Sequence, residues 1–336
     1  MITGFQDIIQ EDLVRIADPA NVEVLSDLRG ETLLVTGGTG FIGTWIAELV
    51  AHLNDKHDFR TKIILVSGNV RAFGTKVPHL ARRGDITLLE RDVRSIVELP
   101  SQATFILHAA ASPDNRQHAS DPLKAMKVIA QGTESVLEAA TRLPNLKRFV
   151  NVSSGLVAAN VDSSAVNSAY VEAKRFAETL CAAYRSQHRL PILNARPFAF
   201  IGPYQLLDRP WAINNFIRDG LMGGPIRILG DGETVRSYLY PSDAAFWFLR
   251  IASAGVVGTS YHVGSPEQIT LNRLAEKVAS YFSPRPKIVS GASKEKNKNS
   301  YPLLPDLGLA ESSLGLKITV DLDTALHRTI QWNKHP

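Results

Sequence analysis

Thr36-Gly37-Gly38-Thr39-Gly40-Phe41-Ile42-Gly43 is the stretch on which the fold turns. It follows the apolar run Thr32–Thr36, which reads as a strand, and opens Phe41–Leu53, whose apolar spacing is helical. Its glycines fit Gly38-x-Gly40-x-x-Gly43 or Gly37-x-x-Gly40-x-x-Gly43 equally well. In such a turn one glycine permits the tight bend, one lets backbone approach a pyrophosphate, and one lets helix pack on strand. The start of the helix, around Phe41 and Ile42, then offers free N–H groups and a positive dipole end to the phosphates. A glycine pattern alone is weak evidence. This one leaves a strand, opens a helix and begins a series of like units, which is the context that gives it meaning.

Working outward, strands are predicted at Lys62–Ser67, Ile86–Glu90, Thr104–His108, Lys147–Ser153 and Pro191–Arg196. Helices are predicted at Pro122–Arg142, which Asp121-Pro122 starts, and at Tyr170–His188. This alternation implies βαβ units and a doubly wound parallel α/β sheet of the Rossmann type. Residues 1–30 form an N-terminal helical extension, with Ile9, Leu13 and Ile16 on one stripe and Pro19 ending the helix. The dinucleotide-binding domain is expected over 31–202. From 203 to 336 turns such as Gly223-Gly224-Pro225 and Gly230-Asp231-Gly232 multiply, and a smaller C-terminal α/β substrate lobe is expected. Within it, a helix at Ser242–Ala254 and a strand at Thr259–Val263 are placed to rejoin the main sheet.

The chain has 336 residues, 44% hydrophobic and 21% charged, enough for a large core and a companion. Its net charge of +4 comes from scattered Lys and Arg, with one modest run at Lys294–Lys298, so nucleic-acid binding is not expected. The one cysteine, Cys181, reads as a core residue in a reducing compartment. With neither a signal peptide nor a long apolar span in sight, a cytoplasmic protein is expected, apart from any membrane.

Two further features carry chemistry. The second strand ends in Ser67-Gly68-Asn69, without the acidic residue that would bind an adenosine ribose, and Arg71 follows. A hydroxyl and an arginine accommodate a 2′-phosphate, so NADP is favoured over NAD. Tyr170-Val171-Glu172-Ala173-Lys174 places a phenol and an ammonium on one helix face. The lysine charge is expected to lower the phenol pKa, so that the pair exchanges a proton with a carbonyl or alcohol oxygen during hydride transfer.

At this point the sequence resembles the extended short-chain dehydrogenase/reductase family, in particular its nucleotide-sugar epimerases, dehydratases and reductases, from about residue 31 to 333. The resemblance implies that Gly37, Gly40, Phe41, Ile42 and Gly43 hold the cofactor. Ser67, Arg71, Asp92, Val93, Ala109, Ala110 and Pro197 would join them, with Tyr170 and Lys174. It implies that Ser154, Tyr170 and Lys174 are catalytic. It also implies that Ser112, Arg116, Ser154, Asn215 and Arg236 contact a nucleoside-diphosphate sugar, Arg236 at the diphosphate. Relatives of this kind commonly form homodimers through the two long helices.

The departures narrow the reaction. Gly155 and Leu156 stand where 4,6-dehydratases carry Asp-Glu and decarboxylases a Glu at the second position, and neither residue transfers a proton. Ala158 and Ala159 replace a usual Tyr-Gly, and Ile129 and Ala199 replace asparagines. Asn115 and Arg116 are candidate substitute contacts. The expected function is hydride transfer at sugar C4, by a 4-ketoreductase or C4 epimerase. The alternatives are a dehydratase with substituted acid and base, a reductase of a non-nucleotide carbonyl, and a non-catalytic dinucleotide sensor.

Overall fold

The computed structural model describes residues 5–158, 168–291 and 303–334. Ala159 and the run Lys294–Lys298 lie outside them. Two helices, α1 (Phe5–Ile16) and α2 (Pro19–Val24), come first. Pro19 does more than end α1: it opens α2 at a first-turn position that needs no N–H donor, and Asp18 caps that helix by accepting from Asn21 N–H at 2.9 Å.

Six strands follow: β1 (Thr32–Thr36), β2 (Lys62–Ser67), β3 (Ile86–Glu90), β4 (Phe105–His108), β5 (Arg148–Val152) and β6 (Ile192–Pro197). They lie parallel in the order β3-β2-β1-β4-β5-β6, and the strand Ser260–Val263 adds to the β6 edge, making seven. Parallel neighbours need crossovers. These are α3 (Phe41–His57), the short α4 (Arg71–Lys76) and α5 (Pro78–Ala81), α6 (Asn115–Ser120) with α7 (Pro122–Ala140), and α8 (Ser168–His188).

Alternation along each strand divides the side chains between two faces. Leu33, Val35, Ile63 and Leu65 join the core that also holds Trp45, Ile46 and Leu49 of α3. Leu34, Ile64 and Val66 join Val136 and Leu137 of α7 and Cys181 of α8. Both faces are covered, which is why the strands read as unbroken apolar runs. Ile9, Leu13 and Ile16 of α1 enter the first of these cores.

Beyond β6 the chain builds a second core around α9 (Ala212–Leu221). It contains Ile213, Phe216, Ile217, Ile226, Leu274 and Val278. α10 (Pro241–Ala254) then returns to the first core, burying Trp247, Phe248 and Leu249, and leads into the edge strand Ser260–Val263. Three helices complete the chain: α11 (Leu271–Ser280), α12 (Gly308–Leu314) and α13 (Leu322–Lys334). Among the described residues no helix is long and apolar enough to cross a membrane.

Candidate active site

The strand order reverses between β1 and β4, and the carboxyl ends of the strands there form the crevice where open α/β sheets bind ligands. The glycine turn sits at this point. Gly37 has φ +67, and a Cβ there would lie 2.7 Å from the Ala109 carbonyl oxygen. A Cβ on Gly43 would lie 2.2 Å from the Gly38 oxygen. The first glycine allows the bend and the close pass of the Ala109-Ala110 loop; the second lets α3 start against the turn. Gly40 is the N-cap of α3 and offers no capping side chain, so the first-turn amides face outward for a ligand. This cradle fits a pyrophosphate.

On the adenosine side, Thr39 Oγ1 donates to Ser67 Oγ at 2.7 Å, tying the turn to the end of β2. Arg71 is exposed at the start of α4. Glu90, which sequence reading passed over, is paired in register with Ser67, and its Oε2 accepts from Val70 N–H at 3.4 Å. Asp92 caps a short turn, and Arg94 holds its carboxyl down to about 2; Val93 is buried behind it.

The catalytic candidates converge from β5 and α8. Ser154 lies just past β5, and its hydroxyl is hydrogen-bonded to that of Tyr170. Lys174, one helical turn on, donates from Nζ to the Val152 carbonyl oxygen at 2.7 Å. Its buried ammonium is pushed down to about 8. Tyr170 shares an apolar cluster with Ile129 and Val171, against which Leu156 packs. The expected lowering of the phenol pKa is reversed: burial pushes it up to about 12, against the downward pull of Ser154. One ammonium N–H points to Val152 and Nζ lies 6.0 Å from the phenol ring centre, so desolvation prevails. His108 is a neutral buried strut, pushed down to about 3, between Thr36 Oγ1 and Thr133 Oγ1.

The structure adds a residue that sequence reading missed. His118 of α6 stacks on the Tyr170 ring, with centroids 4.4 Å apart and planes at 12°. Its Nε2 lies 2.7 Å from the carbonyl oxygen of Ser112. Only the histidine three places after Asn115 could have hinted at it.

The remaining candidates are spread further. Arg116 is forked onto the buried Asp114, which also takes Arg209 Nη1 at 2.8 Å. Asn215, in the first turns of α9, accepts from Arg218 at 2.8 Å. Arg236 lies on a two-residue strand and donates to the Val235 carbonyl at 2.8 Å. Pro197 ends β6 opposite Val263.

A model of the NAD dependent epimerase/dehydratase family matches residues 33–264, well over half of the chain. The chain belongs to this family. It is similar to UDP-glucuronic acid decarboxylase 1 of Danio rerio, 25% identical over 93% of this chain and 74% of the relative. Its fold is similar to that of the Bordetella bronchiseptica enzyme WbmF in complex with NAD+, with a TM-score of 0.77, 23% identity and coverage of 91% and 93% of the two chains. It is also similar to UDP-glucuronic acid 4-epimerase from Bacillus cereus in complex with UDP-glucuronic acid and NAD. There the TM-score is 0.75, with 21% identity and 90% and 98% coverage. This epimerase/dehydratase chain thus carries the family's Rossmann-type sheet, with Ser154, Tyr170 and Lys174 gathered at the carboxyl end of β5.

Proposed function

We propose that this enzyme transfers hydride at C4 of a nucleoside-diphosphate sugar, as a 4-ketoreductase or a C4 epimerase. The observation that carries this reading is the surroundings of Tyr170. Ser154 bonds its hydroxyl, Ala111 and Leu156, which neither give nor take a proton, pack against its cluster, and His118, stacked on its ring, has Nε2 held by the Ser112 carbonyl. Elimination of water needs a further base for the C5 proton and an acid for the departing hydroxyl, and after loss of carboxylate C5 needs a proton donor; Gly155 and Leu156, directly after Ser154, supply none of these.

A bound nicotinamide supplies the hydride acceptor or donor. The turn at Gly37–Gly43 holds the pyrophosphate, and Lys174 holds a ribose hydroxyl. Tyr170 gives a proton to, or takes one from, the C4 oxygen, and Ser154 orients that oxygen. The elements from residue 203 onward, with Asn215 and Arg236, grip the nucleoside diphosphate, and a guanidinium suits phosphate oxygens. Ser67 and Arg71 favour NADP(H). A second reading, NAD(H), is favoured by Glu90 beside Ser67, since a carboxylate there repels a 2′-phosphate. A homodimer through α7 and α8 is supported by exposed Leu123, Met126 and Phe176 on those helices; light scattering tests it.

The test is Tyr170→Phe. It should lower turnover of UDP- or dTDP-linked 4-keto or 4-hydroxy sugars by about 10²–10⁴ and leave cofactor affinity unchanged. Unchanged turnover would sink the proposal. Thermal stabilisation by none of UDP, dTDP, CDP and GDP would favour a non-nucleotide carbonyl substrate.

A further inference from the structure

We propose that His118 is a specificity-determining residue that accepts a hydrogen bond from a substrate-sugar hydroxyl beside the carbon at which Tyr170 acts. The proposal rests on the function given above.

The Ser112 carbonyl oxygen 2.7 Å from Nε2 can only accept, so Nε2 carries the hydrogen. In the neutral ring Nδ1 is then a lone-pair acceptor. His118 is 3% exposed, and its Nδ1 is buried with no partner among the described residues. Buried acceptors are ordinarily satisfied, and leaving one unmade is costly. Asn115 Oδ1, three residues earlier on α6, is likewise buried and unpartnered. The two acceptors stand on one helix face. His118 and Ser112 line a cavity of about 300 Å³ whose other walls include Gln117, Asp121, Lys124 and Ile129. The imidazole lies flat on the Tyr170 ring, with centroids 4.4 Å apart, so the edges of the two rings lie alongside each other.

The missing partner must be a donor. Phosphate and carboxylate oxygens are excluded on that ground, and a sugar hydroxyl qualifies. The amide N–H₂ of a nicotinamide also donates, so the test separates the two. Ile129 and Ala199 offer no side-chain amide to the sugar, which leaves its polar contacts to groups such as His118.

Calorimetry on the full chain would measure Kd for UDP, UDP-glucose and NADPH in the wild type, His118→Phe and His118→Asn. Phenylalanine keeps the stack and removes the acceptor; asparagine restores an acceptor near Nδ1. The ratio of UDP to UDP-glucose Kd should fall about tenfold in His118→Phe, as expected for one hydrogen bond, and largely return in His118→Asn. Affinities for UDP alone and for NADPH should hold. An unchanged ratio, or weakening confined to NADPH, overturns the proposal. A wild type that binds neither UDP nor UDP-glucose is read with dTDP and dTDP-glucose in their place, and binding to none of the four overturns the nucleotide-sugar reading and this inference with it. Should the phenylalanine variant not fold, the wild type is titrated with 3- and 6-deoxy analogues of UDP-glucose, which lack the hydroxyls beside C4. One of them should bind about tenfold more weakly, and equal affinity for all overturns the proposal.

Discussion

Lys174 Nζ and the Val152 carbonyl oxygen are joined by a 2.7 Å hydrogen bond that holds the ammonium at the end of β5. Burial lowers its pKa from 10.5 to about 8, so the ammonium is present below that pH and lost as pH rises through it. If the charged form grips the cofactor ribose, cofactor Kd should rise between pH 7 and 9. Lys174→Met should bind weakly and without that step. Fluorescence titration of NADPH across the range checks both, and a flat wild-type profile would count against the role.

The adenosine side carries opposed signals, Arg71 against Glu90. Removal of Arg71 by Arg71→Ala should lower the NADPH-over-NADH ratio of kcat/KM about tenfold, while Glu90→Gln should raise it. A wild type that prefers NADH, with no response to either change, would assign the site to NAD.

Gly43→Ala places a Cβ within 2.2 Å of a backbone oxygen that has little room to move. Such overpacking should cost about 1–3 kcal/mol of stability. Cofactor affinity should fall further still, because α3 must lift from the turn. Urea unfolding and cofactor titration on the same protein separate the two effects.

Asp12 of α1 is fully buried, with Tyr240 donating to it at 2.6 Å and Arg328 paired at 3.0 Å. Tyr240→Phe should cost about 1–3 kcal/mol. Burial raises the Asp12 carboxyl from 3.8 to about 6. At this group the folded chain therefore binds more proton than the unfolded one in that window, and the group's contribution to stability falls as pH rises from about 4 to 6. Asp243, also raised to about 6, acts in the same direction. Urea midpoints from pH 4 to 7 should show a shallower downward slope in Asp12→Asn than in the wild type.

Much of this was legible because local pattern and tertiary role agree. The turn at Gly37–Gly43 reads from sequence because a tight bend and a close helix both demand glycine, and the β6 partner Ser260–Val263, where Tyr261 and Val263 alternate with polar neighbours, falls within the strand expected at Thr259–Val263. The pKa of Tyr170 was not legible: spacing reveals the nearby lysine, whereas Ile129 and Leu156, which dry the phenol, arrive from elsewhere in the chain. His118 escaped for the same reason. A single histidine in a six-residue helix has no period, and its stack on Tyr170 exists only after α6 folds back over α8. Glu90 escaped because register, not sequence distance, sets it beside Ser67.

The anchoring of α1 has a consequence for how the chain is made. Tyr240 lies 228 residues beyond Asp12, and Arg328 further still. At ~5–20 residues per second, α1 leaves the ribosome roughly 10–45 s before Tyr240 exists. Until then a carboxylate destined for the interior stays in water, and the apolar stripe of Ile9, Leu13 and Ile16 waits beside it. The β6 edge is open for a shorter interval, from its own synthesis until Ser260–Val263 emerges. A nascent chain stalled before that point should be the species that chaperones hold and proteases cut.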